Sequence, residues 1–166
     1  LAQIFQYEAA EILDASDAIL QQLSVEPNQP ELLNDLRRGM HTLKGSSRMA
    51  GIMTFGDLAH AAESVLDALG KSKEPASPVV LDQLQHALDR LNRMLAEAAG
   101  GASPPPAADL SADLHRLADV VAAGGLAEGL PPAAPIVPEE AAMVPEPRSL
   151  RPMTELDREL AEVFQA

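Results

Sequence analysis

The fold is decided by residues 30–70, which read PELLNDLRRGMHTLKGSSRMAGIMTFGDLAHAAESVLDALG. Large apolar residues recur there every three or four positions, which is the spacing of one buried face on an α-helix. Pro30 suits the first turn of a helix, and Gly51 and Gly70 suit helix ends. We therefore expect one helix from Pro30 to about Gly51, and a second to Gly70 that starts at Thr54 with the threonine hydroxyl as its cap.

The sequence on either side has the same helical period. One pattern covers residues 1–23, and its apolar face is predicted to consist of Leu1, Ile4, Phe5, Ile12, Ile19, Leu20 and Leu23. Another starts with Ser77 as the cap and Pro78 at the first position, and it ends before Gly100. Helices joined by short connections pack as antiparallel neighbours. The prediction is an all-α fold, an antiparallel up-down four-helix bundle over residues 1–99.

Residues 100–152 differ in composition from the predicted bundle. Ten prolines fall within residues 101–152, against four in residues 1–99, and they interrupt short alanine-rich runs. Such a segment buries too little apolar surface to offset the entropy of ordering, so we predict a Pro/Ala-rich, largely disordered linker. The exception is a short amphipathic helix at 109–123. The sequence leaves open whether this helix docks on the bundle.

The last residues of the chain are similar to the first. LAEVFQA at 160–166 is identical to LAQIFQY at 1–7 in four positions. A repeat of this kind after a proline-rich linker is expected where the next unit of a tandem array begins. Residues 153–166 are therefore predicted to start a further helix, and the repeat favours a second copy of the bundle.

Charge and composition exclude several classes of function. The formal net charge is -13, which argues against binding to nucleic acid because a phosphate backbone is held by surplus cations. No apolar run approaches the roughly 18 residues of a membrane span, and the first residues do not resemble a signal peptide. The absence of cysteine is compatible with a reducing compartment. We expect a soluble, cytoplasmic protein with no nucleic-acid or membrane partner.

The segment that points to chemistry is HTLKG at 41–45, in the middle of the second predicted helix. Helical spacing places one stripe of residues opposite the core positions: Arg37, His41, Lys44, Gly45 and Arg48. A histidine on this stripe faces outward, beside a glycine that leaves room for a large partner. The three cations favour an anion such as a phosphoryl group. The alternative is an ordinary polar histidine on a solvated helix face.

The third predicted helix adds a carboxylate that can reach His41. His60 and Glu63 are three residues apart and therefore share a face. If Glu63 accepts a hydrogen bond from one imidazole nitrogen of His41, it fixes the tautomer and leaves the other nitrogen free as a nucleophile. The alternative is that Glu63 is a surface charge and His60 a histidine satisfied by water.

These motifs resemble those of histidine phosphotransfer domains, particularly the amino-terminal domain of CheA-like chemotaxis histidine kinases. The resemblance covers about residues 1–97 and includes His-x-x-Lys-Gly at 41–45, a glycine ten residues after the histidine, and His-x-x-Glu at 60–63. It implies roles for individual residues: His41 as the phosphorylated histidine, Lys44 as the cation near the phosphoryl group, Gly45 as clearance for the partner domain, and Glu63 as the partner of the imidazole, with His60 beside it.

The resemblance implies a phosphoryl carrier in a two-component phosphorelay. His41 is expected to accept phosphate from a histidine kinase catalytic domain and to pass it to an aspartate on a response-regulator receiver domain. Arg37, Gly45 and Arg48 are expected to contact that receiver. No cofactor, no bound metal and no autonomous kinase activity are expected of this chain.

Two other functions remain open. One is a helical docking module for signalling partners that performs no chemistry. The other is a metal site formed by His41, His60 and Glu63, with His86 as a further ligand. The metal site is disfavoured because Lys44 and Arg48 would place positive charge beside the cation.

Overall fold

Five helices make up the part of the chain that the structure describes. The structure is a computed structural model and describes residues 2–125. The helices are α1 (Ala2–Val25), α2 (Pro30–Met49), α3 (Met53–Lys71), α4 (Pro78–Ala99) and α5 (Ala108–Ala122). The helix predicted at 153–166 and its interpretation as a second bundle copy lie outside the described residues. Among the helices of residues 2–125, none is long and apolar enough to cross a membrane.

The first four helices form the predicted bundle. α1 packs against α2 and α4, and α3 packs against the same two helices, so the four surround one core. The core joins α1 to the start of α3 through Phe5 and Phe55, whose ring centroids lie 5.3 Å apart in an edge-to-face arrangement. The prediction of an all-α four-helix bundle is confirmed.

The buried face of α1 differs in part from the predicted face. Phe5, Leu20 and Leu23 are buried as expected, but Ile4 is 71% exposed and Leu13 is fully buried. Steps of three or four residues from Phe5 reach Leu13 and bypass Ile4, because adjacent residues on a helix point about 100° apart. The predicted buried face of α1 therefore wrongly included Ile4 and omitted Leu13.

The predicted helix starts were correct for α4 and wrong for α3. The hydroxyl oxygen of Ser77 accepts a hydrogen bond from the backbone nitrogen of Val80, and Pro78 follows it in the first turn. α3 begins at Met53, one residue before the predicted cap, and its start has no side-chain cap. The hydroxyl of Thr54 instead donates to the carbonyl of Pro104, 3.1 Å away, in the segment between α4 and α5.

The structure answers the question of docking that the sequence left open. α5 packs mainly against α3, and its apolar side chains Leu114, Leu117 and Val121 are buried. The segment before it is also tied to the bundle, by the bond from Thr54 and by a guanidinium nitrogen of Arg90 that donates to the carbonyl of Pro105 at 3.3 Å. Docking on the bundle supplies the apolar contacts that the short helix lacks on its own.

Candidate functional site

The candidate site lies where α2 and α3 face each other along one side of the bundle. His41 is in the middle of α2, and its side chain is 68% exposed. Its Nδ1 lies 2.6 Å from Oε1 of Glu63 on α3. The structure therefore brings together the histidine and the carboxylate that the sequence predicted to meet, with the imidazole open to solvent.

Glu63 is the buried centre of the site. Its side chain is only 8% exposed, and three groups donate to it: His41 at 2.6 Å, Lys44 at 2.6 Å and His60 at 3.4 Å. Burial by itself raises the pKa of Glu63, but the hydrogen bonds from Lys44, His41 and His60 outweigh it and lower the pKa to about 2. Glu63 is therefore ionised at neutral pH.

The charge of Glu63 determines the tautomer of His41. An ionised carboxylate only accepts hydrogen bonds, so the hydrogen shared with Oε1 of Glu63 belongs to Nδ1 of the imidazole. In the neutral ring, Nε2 then carries a lone pair. Residues 2–125 provide no hydrogen-bond partner for Nε2, and the ring is mostly exposed. The arrangement presents an unprotonated nitrogen to a molecule that approaches from solvent.

Lys44 lies one helical turn from His41 and points toward Glu63. Its side chain is 19% exposed, and Nζ lies 2.6 Å from Oε2 of Glu63, on the carboxylate oxygen that His41 does not use. A charge-assisted bond of this length is strong and shields the buried carboxylate. Lys44 thus neutralises Glu63 in the present arrangement.

The two arginines of the predicted stripe are also paired with carboxylates of α3. Arg37 lies 3.4 Å from Asp67, and Arg48 lies 3.8 Å from Asp57. All four of these side chains are between 41% and 63% exposed, so the pairs are weak and solvated. The stripe lies on the face that the sequence predicted, but its positive charge is largely balanced across the helix pair.

Three glycines of α2 and α3 have different surroundings. A Cβ atom at Gly45 would meet nothing within 4 Å, so the surface beside His41 is open as predicted. A Cβ at Gly56 would lie 2.7 Å from the hydroxyl of Ser47, and one at Gly39 would lie 3.1 Å from Ile12. Gly56 and Gly39 therefore allow α2 to approach α3 and α1 closely. Neither role was predicted from the sequence.

The other histidines add one unexpected neighbour. His115 on α5 is exposed, and its ring centroid lies 6.0 Å from that of His60. His86, the further ligand considered for a metal site, is half-buried on α4. No cluster of three or more potential metal ligands is found among residues 2–125. A metal bound by both His60 and Glu63 would need Oε2 of Glu63, and Lys44 already donates a hydrogen bond to that oxygen.

Comparison with known proteins gives the family. The Hpt domain model matches residues 1–94, which end within α4. The chain is 32% identical over 94 residues to a chemotaxis protein CheA of Borreliella burgdorferi, covering 57% of this chain and 11% of that protein. It is 35% identical over 91 residues to CheA of Bacillus subtilis, covering 55% and 14%.

A gliding motility regulatory protein of Myxococcus xanthus is 47% identical over a shorter stretch of 58 residues, which covers 35% of this chain and 7% of that protein. The chain thus spans a small fraction of the length of each of these relatives. The family model, in contrast, matches more than half of the chain and includes both helices of the candidate site. The chain therefore belongs to the Hpt domain family.

Proposed function

We propose that this chain is a phosphoryl carrier in two-component signalling, with Nε2 of His41 as the atom that is phosphorylated. The observation that carries the proposal is the 2.6 Å bond from Nδ1 of His41 to the buried, ionised Glu63 on an otherwise exposed imidazole. That bond leaves the outer nitrogen as a nucleophile, and the solvent exposure gives a partner domain access to it.

The first step of the proposed relay loads the carrier. The lone pair of Nε2 forms a bond to the γ-phosphorus of ATP held by a histidine kinase catalytic domain. The bond between that phosphorus and the bridging oxygen breaks, and ADP leaves with the electron pair. The imidazole gains positive charge as the nitrogen–phosphorus bond forms. The carboxylate of Glu63, already in place 2.6 Å from Nδ1, stabilises this charge without reorganisation.

The second step unloads the carrier. A carboxylate oxygen of an aspartate on a response-regulator receiver domain attacks the phosphorus. The nitrogen–phosphorus bond breaks, and its electron pair returns to Nε2 of His41. Nδ1 keeps its hydrogen throughout, so no proton has to be moved through the buried part of the site. His41 then returns to the form in which it began.

Both partner domains are proposed to approach over the exposed side of α2. Gly45 is one helical turn from His41 and leaves the surface there without a side chain. The half-exposed Arg37 and Arg48 lie at the two ends of this surface and are proposed as contacts for an acidic receiver domain. Because ATP is the phosphoryl donor, the reaction is proposed to take place in the cytoplasm.

Residues 1–99 are proposed to be one phosphotransfer unit of a larger signalling protein. The similarity of residues 160–166 to residues 1–7 supports a further unit after the proline-rich segment. The small share of each relative that the chain covers is in accord with a module of this kind. The kinase activity would then reside in a separate domain.

The test is phosphorylation of the purified chain by an ATP-loaded catalytic domain of a CheA-type kinase. The parent is expected to acquire a phosphate that is labile in acid and stable in base, as a nitrogen–phosphorus bond is. His41→Gln should acquire none, while His60→Gln is the matched control and should remain labelled. Labelling of His41→Gln would refute the assignment. A parent that binds the kinase but is never labelled would favour the docking module instead.

A further inference from the structure

The fifth helix reaches the candidate site through one side chain. α5 lies beyond residues 1–94, which the family model matches, and it is held on α3 by buried apolar contacts. His115 projects from its exposed side, yet its ring centroid is 6.0 Å from that of His60 with an angle of 68° between the ring planes. This distance and angle are typical of an edge-to-face contact between aromatic rings.

The ring of His60 is thus held from two directions. On one side its Nδ1 lies 3.4 Å from Oε2 of Glu63, and on the other its ring meets His115. The His60 side chain is 48% exposed, so water competes for its hydrogen bond to Glu63. A long and half-exposed hydrogen bond depends strongly on the rotamer of the ring that makes it. A contact that restricts this rotamer therefore acts on the bond to Glu63.

The contacts form a continuous path from α5 to the reacting histidine. His115 meets His60, His60 meets Glu63, and Glu63 holds Nδ1 of His41 at 2.6 Å. We propose that His115 is a positioning residue of the phosphotransfer site, because its contact with His60 holds that ring against Glu63. This inference rests on the proposed function of His41. It extends the site beyond α2 and α3 to a helix outside the matched residues.

The first test uses the tautomer of His60 and needs no phosphorylation. At alkaline pH, where imidazole side chains are neutral, nitrogen NMR of the full chain reports which ring nitrogen carries the hydrogen. In the parent, the bond to Glu63 is expected to hold the hydrogen on Nδ1 of His60. In His115→Ala this preference should weaken, and in His115→Phe, which keeps a ring for the edge-to-face contact, it should be retained.

The second test measures the rate at which the kinase domain phosphorylates the same variants. The loss of one aromatic contact predicts a rate about two- to five-fold lower in His115→Ala and close to that of the parent in His115→Phe. Arg116→Ala is the matched control, because Arg116 is exposed on α5 and, among residues 2–125, pairs only with Asp113 of the same helix. It should change neither the tautomer nor the rate.

The outcomes separate this inference from the proposed function. A labelled parent together with an unchanged His60 tautomer in His115→Ala overturns the role of His115 and leaves the role of His41 intact. The role of His115 is also overturned if His115→Phe does not keep the tautomer preference of His60 and the phosphorylation rate of the parent, because the proposed contact needs only an aromatic ring. If the parent is not labelled at all, the proposed function fails, and the positioning role fails with it.

Discussion

The ionised state of Glu63 is the property on which the proposed chemistry depends most directly, and Glu63→Gln removes it with little change in shape. Glutamine keeps an oxygen that accepts a hydrogen bond but carries no charge. Burial raises the pKa of Glu63, yet the bonds from Lys44, His41 and His60 lower it from the usual 4.5 to about 2. The folded state therefore holds the carboxylate ionised more strongly than the unfolded chain does.

This difference in pKa fixes the size and the sign of the expected effect. A fall from 4.5 to about 2 corresponds to about 3 kcal/mol of stabilisation of the folded protein at neutral pH. Because the folded pKa is the lower one, the stabilisation is fully present above pH 4.5 and is lost as the pH falls through about 2. By the linkage relation, about 2 kcal/mol of it is lost between about pH 5 and about pH 3.

The assay is urea unfolding of the parent and of Glu63→Gln, followed by circular dichroism at several pH values in that range. An imidazole with the usual pKa is cationic across this range, so the difference between the two unfolding free energies reports on the carboxylate. The unfolding free energy of the parent, relative to that of Glu63→Gln, should fall by about 2 kcal/mol as the pH decreases from about 5 to about 3.

A matched control is Asp67→Asn, which removes the carboxylate of a half-exposed ion pair on the same face of α3. The unfolding free energy of Asp67→Asn should differ from that of the parent by less than about 1 kcal/mol over the whole pH range. If the difference between the parent and Glu63→Gln does not change with pH, Glu63 is not held ionised by its neighbours. His41 then has no ionised carboxylate beside it to fix its tautomer.

Three further predictions concern the surface and the packing around the site. In thermal unfolding, Gly45→Ala should stabilise the chain by up to about 1 kcal/mol, because the new Cβ enters open space. Gly56→Ala should destabilise the chain by about 1–3 kcal/mol, because the new Cβ meets a hydroxyl at 2.7 Å. Equal effects of the two substitutions would contradict the different surroundings of the two glycines. Arg48→Ala should weaken the binding of a receiver domain and reduce the salt dependence of that binding, and no change in either would place the interface elsewhere. A chain that ends after residue 102 should melt about 5 °C or more below one that ends after residue 125, because only the longer chain keeps α5; equal melting temperatures would mean that α5 does not stabilise the bundle.

The sequence was sufficient to predict the bundle and the meeting of His41 with Glu63. Both follow from helical periodicity, because the apolar positions of each helix fix which side faces the core and therefore which residues lie at its edges. Lys44 follows in the same way from its place one turn after the histidine. These residues lie in two successive helices joined by a short turn, where an antiparallel arrangement is the expected one.

The pairing of the cations could not be read from the periodicity of one helix alone. Arg37 and Arg48 were predicted on the correct face, but their partners depend on the register of α2 against α3. The contact between His115 of α5 and His60 depends on tertiary structure even more than the pairing of Arg37 and Arg48 does. A segment of prolines separates His115 from the bundle in the sequence, and its position beside His60 follows only from the docking of a helix that is too short to be stable alone.

The register between α2 and α3 connects the packing of the bundle to the chemistry of the site. Gly56 of α3 packs closely against Ser47 of α2, and in antiparallel helices each step back along one helix is matched by a step forward along the other. Six residues back from Ser47 lead to His41, a rise of about 9 Å, and seven residues forward from Gly56 lead to Glu63, a rise of about 10.5 Å. A larger residue at position 56 would force these helices apart at this point and lengthen the 2.6 Å bond between His41 and Glu63. The close packing of Gly56 on Ser47 therefore supports the site as well as the fold.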